Sequence, residues 1–511
     1  MSRTRSRREL LQAGATGTGL WLGGLRVTDL LANVPSAQAA SFRPAAKARP
    51  ASEDELAYLS IAQASALIAE KKLSPVELVD ACLSRIDRFE PAILAWITLL
   101  GDQARAAAKI AAAEIARGSP RSPLHGIPIG LKDLYDMKGV RTTAGSAVLA
   151  DAPAAKRDAT VVARLRKAGA IFLGKANTHE FAFGVWTPPT SNPWDTSRVP
   201  GGSSGGSAAA LAAGMCLGAT GTDTGGSIRI PSSLCGTVGI KPTIGRVSLA
   251  GVVPLSWSLD HAGPLTRSVE DCAIMLNAIA GSDRADPRTV DAPVPDFTAG
   301  LGRHVRGRVI GVPTSVFFDG VDPETERLVR RAIPVLESLG ARVVPLDMPS
   351  TQYISGAGYL VIQLTEPLSA HEYFLRRRPQ DYMNQTRAFL ALGTAWHAQH
   401  NLRAQRIRTI NVSEWVKVFG KVDAVLTPTT PRPAPTKQEA EATGVTDLIN
   451  YTSFFDLNGC PSISVPAGNS SEGIPVGLML SARPFDEVRL LQLAYAYQEA
   501  TGFNRLRPPL H

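Results

Sequence analysis

A chain of 511 residues with 44% hydrophobic and 19% charged positions has the composition of a globular protein with a large core. The formal charge is +9, but residues 1–39 hold five Arg against Glu9 and Asp29, so the remainder carries only about +6. That excess is dispersed, with no Lys/Arg block interleaved with aromatics, and nucleic-acid binding has nothing to rest on beyond a high pI.

In chain order, Ser6-Arg7-Arg8-Glu9-Leu10-Leu11 places paired arginines before a weakly apolar, glycine-rich run to Leu25, and Ala37-Gln38-Ala39 supplies small residues for cleavage. This resembles a twin-arginine export signal over 1–39, implying a bacterial periplasmic or secreted protein. A Pro/Ala-rich segment follows over 40–55, and the main domain is expected over 56–505. No later apolar run approaches ~18 residues, so no membrane span is expected.

Ser74-Pro75-Val76-Glu77 opens a helix to about Glu90, with a cap, a proline at the first position and a glutamate three residues on. Asp102 to Arg117 is a second helix stopped by Gly118. Ile127, Ile129 and Leu131 make a short buried strand with Lys132-Asp133 at its end. Asp158 is expected to cap a helix to Gly169, ahead of a strand from Ala170 to Gly174. Ser268 caps a helix to Ala280, 308–312 is a strand, and Asp322-Pro323 starts a helix towards Leu339 that Pro334 would kink. Strands at 341–346, 424–427, 463–465 and 476–480 precede a last helix capped by Asp486. Alternation of this kind predicts an α/β fold, one large sheet covered by helices on both faces.

The stretch Gly221-Thr222-Asp223-Thr224-Gly225-Gly226-Ser227 interrupts that pattern. Glycines let a backbone approach a reacting atom, and successive N–H groups from Thr224, Gly225, Gly226 and Ser227 would converge on one oxyanion, with Ser227 as nucleophile. Strand-like residues are expected on both sides, at 216–219 and 228–230. Twenty-four residues earlier, Gly201-Gly202-Ser203-Ser204-Gly205-Gly206-Ser207 leads into a helix-forming run from Ala208 to Ala213. It contains G-x-S-x-G twice, but the irregular residues 192–200 before it do not provide the strand a nucleophile elbow needs. No Gly-Lys-Ser/Thr completes a phosphate loop. The five Cys, odd in number and set among apolar neighbours, read as buried hydrophobes, and His397-Ala398-Gln399-His400 fits no zinc spacing, so no metal or cofactor is expected.

Lys132, Ser203 and Ser227 with their surroundings, together with Ser258-Leu259-Asp260-His261-Ala262-Gly263-Pro264, give a chain that resembles the amidase signature family over roughly 56–505. The resemblance implies a Ser-Ser-Lys triad: Ser227 attacks the carbonyl, Ser203, held by a cis peptide bond, relays the proton, and Lys132 accepts it. It also implies that the large sheet is mixed, that Asp223 and Arg229 brace the loop and that Ser204 assists. A base needs a lone pair, and bringing a lysine from ~10.4 to ~7.5 means disfavouring the ammonium by about 4 kcal/mol, which burial can supply. The contrary reading is a charged Lys132 paired with Asp133. Asp456 stands where the family usually has asparagine, so it either tunes the substrate channel or is a solvated acid.

Phe181, Phe183, Trp186, Tyr353, Tyr359 and Tyr373 are candidates for lining an acyl pocket. The expected activity is hydrolysis of a small-molecule or peptide amide, extending to esters or carbamates. Two rivals stand beside it: the A-type component of a tRNA-dependent amidotransferase, and an amide-binding protein without turnover. Dimers are common among such relatives, which allows a homodimer, but the sequence does not fix the oligomeric state.

Overall fold

The computed structural model describes residues 49–349 and 351–510 and, by backbone alone, a two-residue antiparallel pair, Trp21–Leu22 with Leu25–Arg26. Apart from that pair, the export signal expected over 1–39 lies outside the described residues, as does most of the segment expected over 40–55.

Eleven strands form one sheet: β1 (Trp96–Leu99), β2 (Pro128–Lys132), β3 (Ile171–Ala176), β4 (Gly218–Asp223), β5 (Val238–Lys241), β6 (His261–Thr266), β7 (Val309–Pro313), β8 (Arg342–Leu346), β9 (Ala424–Pro428), β10 (Ser462–Asn469) and β11 (Pro475–Ser481). Their order is β8-β7-β9-β11-β10-β5-β6-β4-β2-β3-β1. β2 runs parallel to β3 and β4, and β7 parallel to β8 and β9, while the other pairs are antiparallel, so the sheet is mixed as expected. Every residue of β2, β3 and β4 is buried, because both faces of this part of the sheet are covered and a strand so placed needs no polar side. Two positions on β4 mark the faces. Gly218 packs under Met275 of the helix Val269–Ile279, whereas Gly221 packs under Ser204, at the start of the helix Gly205–Ala212.

Local signals hold where a cap or a turn residue carries them. Pro75–Ile93 begins with a capping box between Ser74 and Glu77, and Ser268 caps Val269–Ile279. Pro334 divides the expected long helix into Pro323–Arg330 and Ala332–Ser338, since its ring cannot accept the preceding turn and its nitrogen has no proton to donate.

Three expectations are corrected. Residues 228–230 are not a strand: the helix Arg229–Cys235 starts here, because the Asp223 carboxylate accepts the Ile228 and Arg229 N–H groups, and Pro231 falls in the first turn where no N–H bond is lost. Asp158 does not cap its helix; it accepts from the Lys138 N–H and pairs with Arg166, and Thr160–Ala168 begins without a side-chain cap. Asp486 occupies the cap position of Glu487–Thr501 but is drawn to Arg483 and Arg489.

The long helices Gln352–Arg377 and Ala398–Phe419 pack together through buried amides: Asn411 Nδ2 donates to Gln352 Oε1 and Ser355 Oγ at 3.0 Å, and Trp415 Nε1 donates to Gln352 Oε1 at 3.1 Å. Buried bonds of this kind favour one register, although Asn411 Oδ1 has no partner among the described residues, and here they set which residues of Gln352–Arg377 face the glycine loop.

Candidate active site

Lys132 ends β2, one strand from β4, and the parallel register brings its side chain beside the end of β4. Its Nζ lies 2.8 Å from Ser203 Oγ, Ser204 Oγ and Thr222 Oγ1, and its side chain is completely buried. All three neighbours are hydroxyls. Burial pushes its pKa down to about 7, against a partial upward pull from the charges of Asp223 and Asp260. Asp133 projects to the opposite side of the strand end and meets Lys175 Nζ at 2.6 Å, so the alternative pairing with Lys132 does not form.

Ser203 and Ser204 immediately precede the helix Gly205–Ala212, and the Gly202–Ser203 peptide is cis. The Ser204 N–H donates to the Ser227 carbonyl at 3.2 Å, joining the two glycine-serine clusters through their backbones. Ser227 is buried, and among the described residues its hydroxyl makes no hydrogen bond. The loop before it is closely surrounded. A Cβ at Gly225 would overlap Tyr359 Oη, and one at Gly226, whose φ is +138°, would overlap Thr452. Only glycine fits at these two positions.

The loop is held from behind by ion pairs. Arg229 forks onto both oxygens of Asp223, Nε at 2.9 Å and Nη2 at 2.8 Å, and donates to the Thr452 carbonyl at 2.9 Å. Burial alone would raise Asp223, but the Arg229 charge and hydrogen bonds overcome it and hold the carboxyl well below its usual range. Asp456 is not solvated. It is fully buried and sits 2.6 Å from Arg229 Nη2, a second carboxyl on the same guanidinium. Burial and the Asp223 charge push Asp456 well above the usual carboxylate range. Behind it, burial keeps His261 neutral: its Nδ1 donates to the Leu259 carbonyl at 2.7 Å and its Nε2 accepts from Lys241.

Sequence reasoning passed over three contributors. Thr222, inside the quoted glycine stretch, supplies the third hydroxyl at Lys132. Asp260, inside the quoted Ser258–Pro264 segment, accepts from Thr224 Oγ1 at 2.6 Å and from the Leu255 and Ser256 N–H groups, anchoring the first residue of the loop. Thr452 carries no local signal, and it donates to the Gly225 carbonyl. Of the aromatic candidates, Phe183 and Tyr359 line a cavity beside the loop. Phe181 instead packs edge-on against His371, and Trp186 lies within a separate buried cluster with Val199 and Ile230. Tyr353 and Tyr373 are 62% and 58% exposed, and neither lines that cavity.

A buried amine among hydroxyls, next to a glycine loop bearing an unbonded serine, is an arrangement for moving a proton off an attacking oxygen. Known proteins share its framework. The profile of the Amidase family matches residues 77–491. An amidase of Pseudomonas putida is 45% identical, covering 89% of this chain and 98% of its own. The A-type component of the glutamyl-tRNA(Gln) amidotransferase of Moorella thermoacetica is 41% identical over 89% of this chain and 99% of its own. Among solved structures, the peptide amidase of Stenotrophomonas maltophilia superposes with a TM-score of 0.77 at 33% identity, over 88% of this chain and 98% of that one. With matches this long, and with the mixed sheet already in hand, the chain belongs to the amidase signature family and is an amide-hydrolysing enzyme.

Proposed function

We propose that this enzyme cleaves its amide through an acyl-enzyme on Ser227. The observation that carries the reading is Lys132 Nζ, buried and bonded only to hydroxyls, with no carboxylate in hydrogen-bond contact among the described residues. The neutral amine draws a proton from Ser203, which draws one from Ser227 when that hydroxyl, unbonded in the structure, turns towards Ser203 and attacks the carbonyl. N–H groups between Thr224 and Ser227 receive the oxyanion, each well-placed donor contributing about 2.7–4 kcal/mol. Collapse expels the amine, protonated through Ser203 by the Lys132 ammonium, and water follows the same relay to release the acid. Ser204 supports Lys132, while Asp223 and Arg229 brace the loop. Esters and carbamates present the same carbonyl and fall within its chemistry.

The substrate is a small-molecule or peptide amide met outside the cytoplasm, after export by the signal over 1–39. Replacing Arg7 and Arg8 with Lys and fractionating the cells tests the address: unchanged delivery rejects it. A fluorophosphonate probe tests the chemistry. It is expected to add one covalent mass on Ser227, and the Ser227→Ala variant is expected to fold and lose both label and turnover. Retained amidase activity in that variant refutes the assignment, and an unlabelled wild type favours amide binding without turnover. Identity of 41% to the A-type component of an amidotransferase favours a second reading, work within a tRNA-dependent complex. Ammonia transfer on reconstitution with the other components would establish it; the paired arginines of the N-terminus argue against it.

A further inference from the structure

Two side chains that pack against the glycine loop line a cavity of about 460 Å³. Tyr359 and Ile449 both line it, and both are among the nearest neighbours of Gly225, so one end of the cavity lies against the loop that carries Ser227. Phe183, Leu364, Phe389 and Phe454 give it an apolar wall. Among the described residues, no Asp, Glu, Lys, Arg or His side chain lines it. Its polar groups are neutral ones, chiefly the carboxamides of Gln363, Gln385 and Asn450.

Two of the polar groups are poised for an occupant. Gln385 meets His179 Nε2 through its Oε1 at 3.2 Å, and its Nε2 makes no hydrogen bond among the described residues, so that end is left for whatever fills the cavity. Tyr359 Oη is buried with no partner among the described residues. A wall of this kind solvates a neutral hydrogen-bonding group and leaves an ion unpaired.

We propose that this cavity is the acyl pocket and that it selects uncharged acyl groups, with an apolar body and a neutral group for the carboxamides, rejecting charged ones such as the glutamine zwitterion. The proposal rests on Ser227 being the acylated residue. A matched pair of probes isolates charge from shape: 5,5-dimethylhexanamide and 4-(trimethylammonio)butanamide are isosteric and differ by one permanent positive charge. The expected kcat/KM ratio is about 100-fold in favour of the neutral amide, with glutamine no better than the cation. A ratio below about 10-fold, or glutamine turned over as well as the neutral amide, overturns the proposal.

Gln363→Glu and Asn450→Asp each put a carboxylate into the wall, and either is expected to raise turnover of the cation by about 10-fold or more. No gain from both in folded protein overturns the placement of the pocket. Calorimetric binding of the two amides to Ser227→Ala separates the layers. Preference for the neutral amide in a protein that never labels on Ser227 defeats the acyl-enzyme reading but keeps the pocket. Labelling and turnover with preference for the cation does the reverse.

Discussion

Replacing Lys132 with methionine removes the amine and keeps a chain of similar length in a completely buried site. In the folded protein the lysine is held down to about 7 from an ordinary 10.5, by burial. Its folded pKa is the lower one, so between those values the unfolded chain binds the extra proton and stability rises with pH. Below pH 7 the buried site disfavours the ammonium by about 5 kcal/mol relative to the unfolded chain. About 2 kcal/mol of that is recovered between pH 7 and pH 9, where the folded amine is losing its proton and the unfolded one is not. Urea unfolding of wild type and Lys132→Met at both pH values reads the quantity directly, and the difference cancels every other titrating group. The wild type is expected to gain about 2 kcal/mol on the variant across that interval. Its kcat/KM should rise about tenfold per pH unit below 7 and level off above, while the variant loses about 10²–10⁴ of activity. A stability difference that does not change with pH would refute the reasoning, since it would mean that Lys132 keeps its ordinary pKa and is charged in the fold.

Gly225→Ala forces a methyl group into Tyr359 Oη and Ile449, so the loop must shift; kcat is expected to fall by about 10²–10³ with KM little changed, and kinetics within threefold of wild type would show that the loop donors are not used. Arg229→Leu strands two carboxyls in a fully buried site and is expected to cost about 3–5 kcal/mol in urea unfolding. Asp456→Asn keeps the Asp223–Arg229 fork and is expected to cost less than about 1.5 kcal/mol. The reverse order of those two variants would show that Asp456, not Asp223, carries the charge that holds Arg229.

The main elements were legible because their signals are local. Ser74, Pro75 and Glu77 announce a helix start within four residues, and Pro334 announces a break wherever the helix packs. The two glycine-serine clusters are legible for a related reason: a backbone that must approach a reacting atom tolerates few residue types, and that restriction is written in composition. A short apolar run such as 228–230 carries no such restriction. Its periodicity suits strand or helix, and the choice fell to the Asp223 carboxylate capping its N–H groups.

From its own residues the sequence determined an alternating α/β chain, two glycine loops and a lysine at a strand end. Tertiary structure decided which charges meet. Lys132 and Asp133 are neighbours in the chain, yet one ends among hydroxyls and the other against Lys175, because successive strand residues face opposite sides of the sheet. Asp456 and Tyr359 come to the loop from distant segments, the one as a buried acid on Arg229, the other as a phenol over Gly225. No local pattern encodes such meetings, for they follow from strand order and from how the long helices lock together, and burial then sets the protonation of each group.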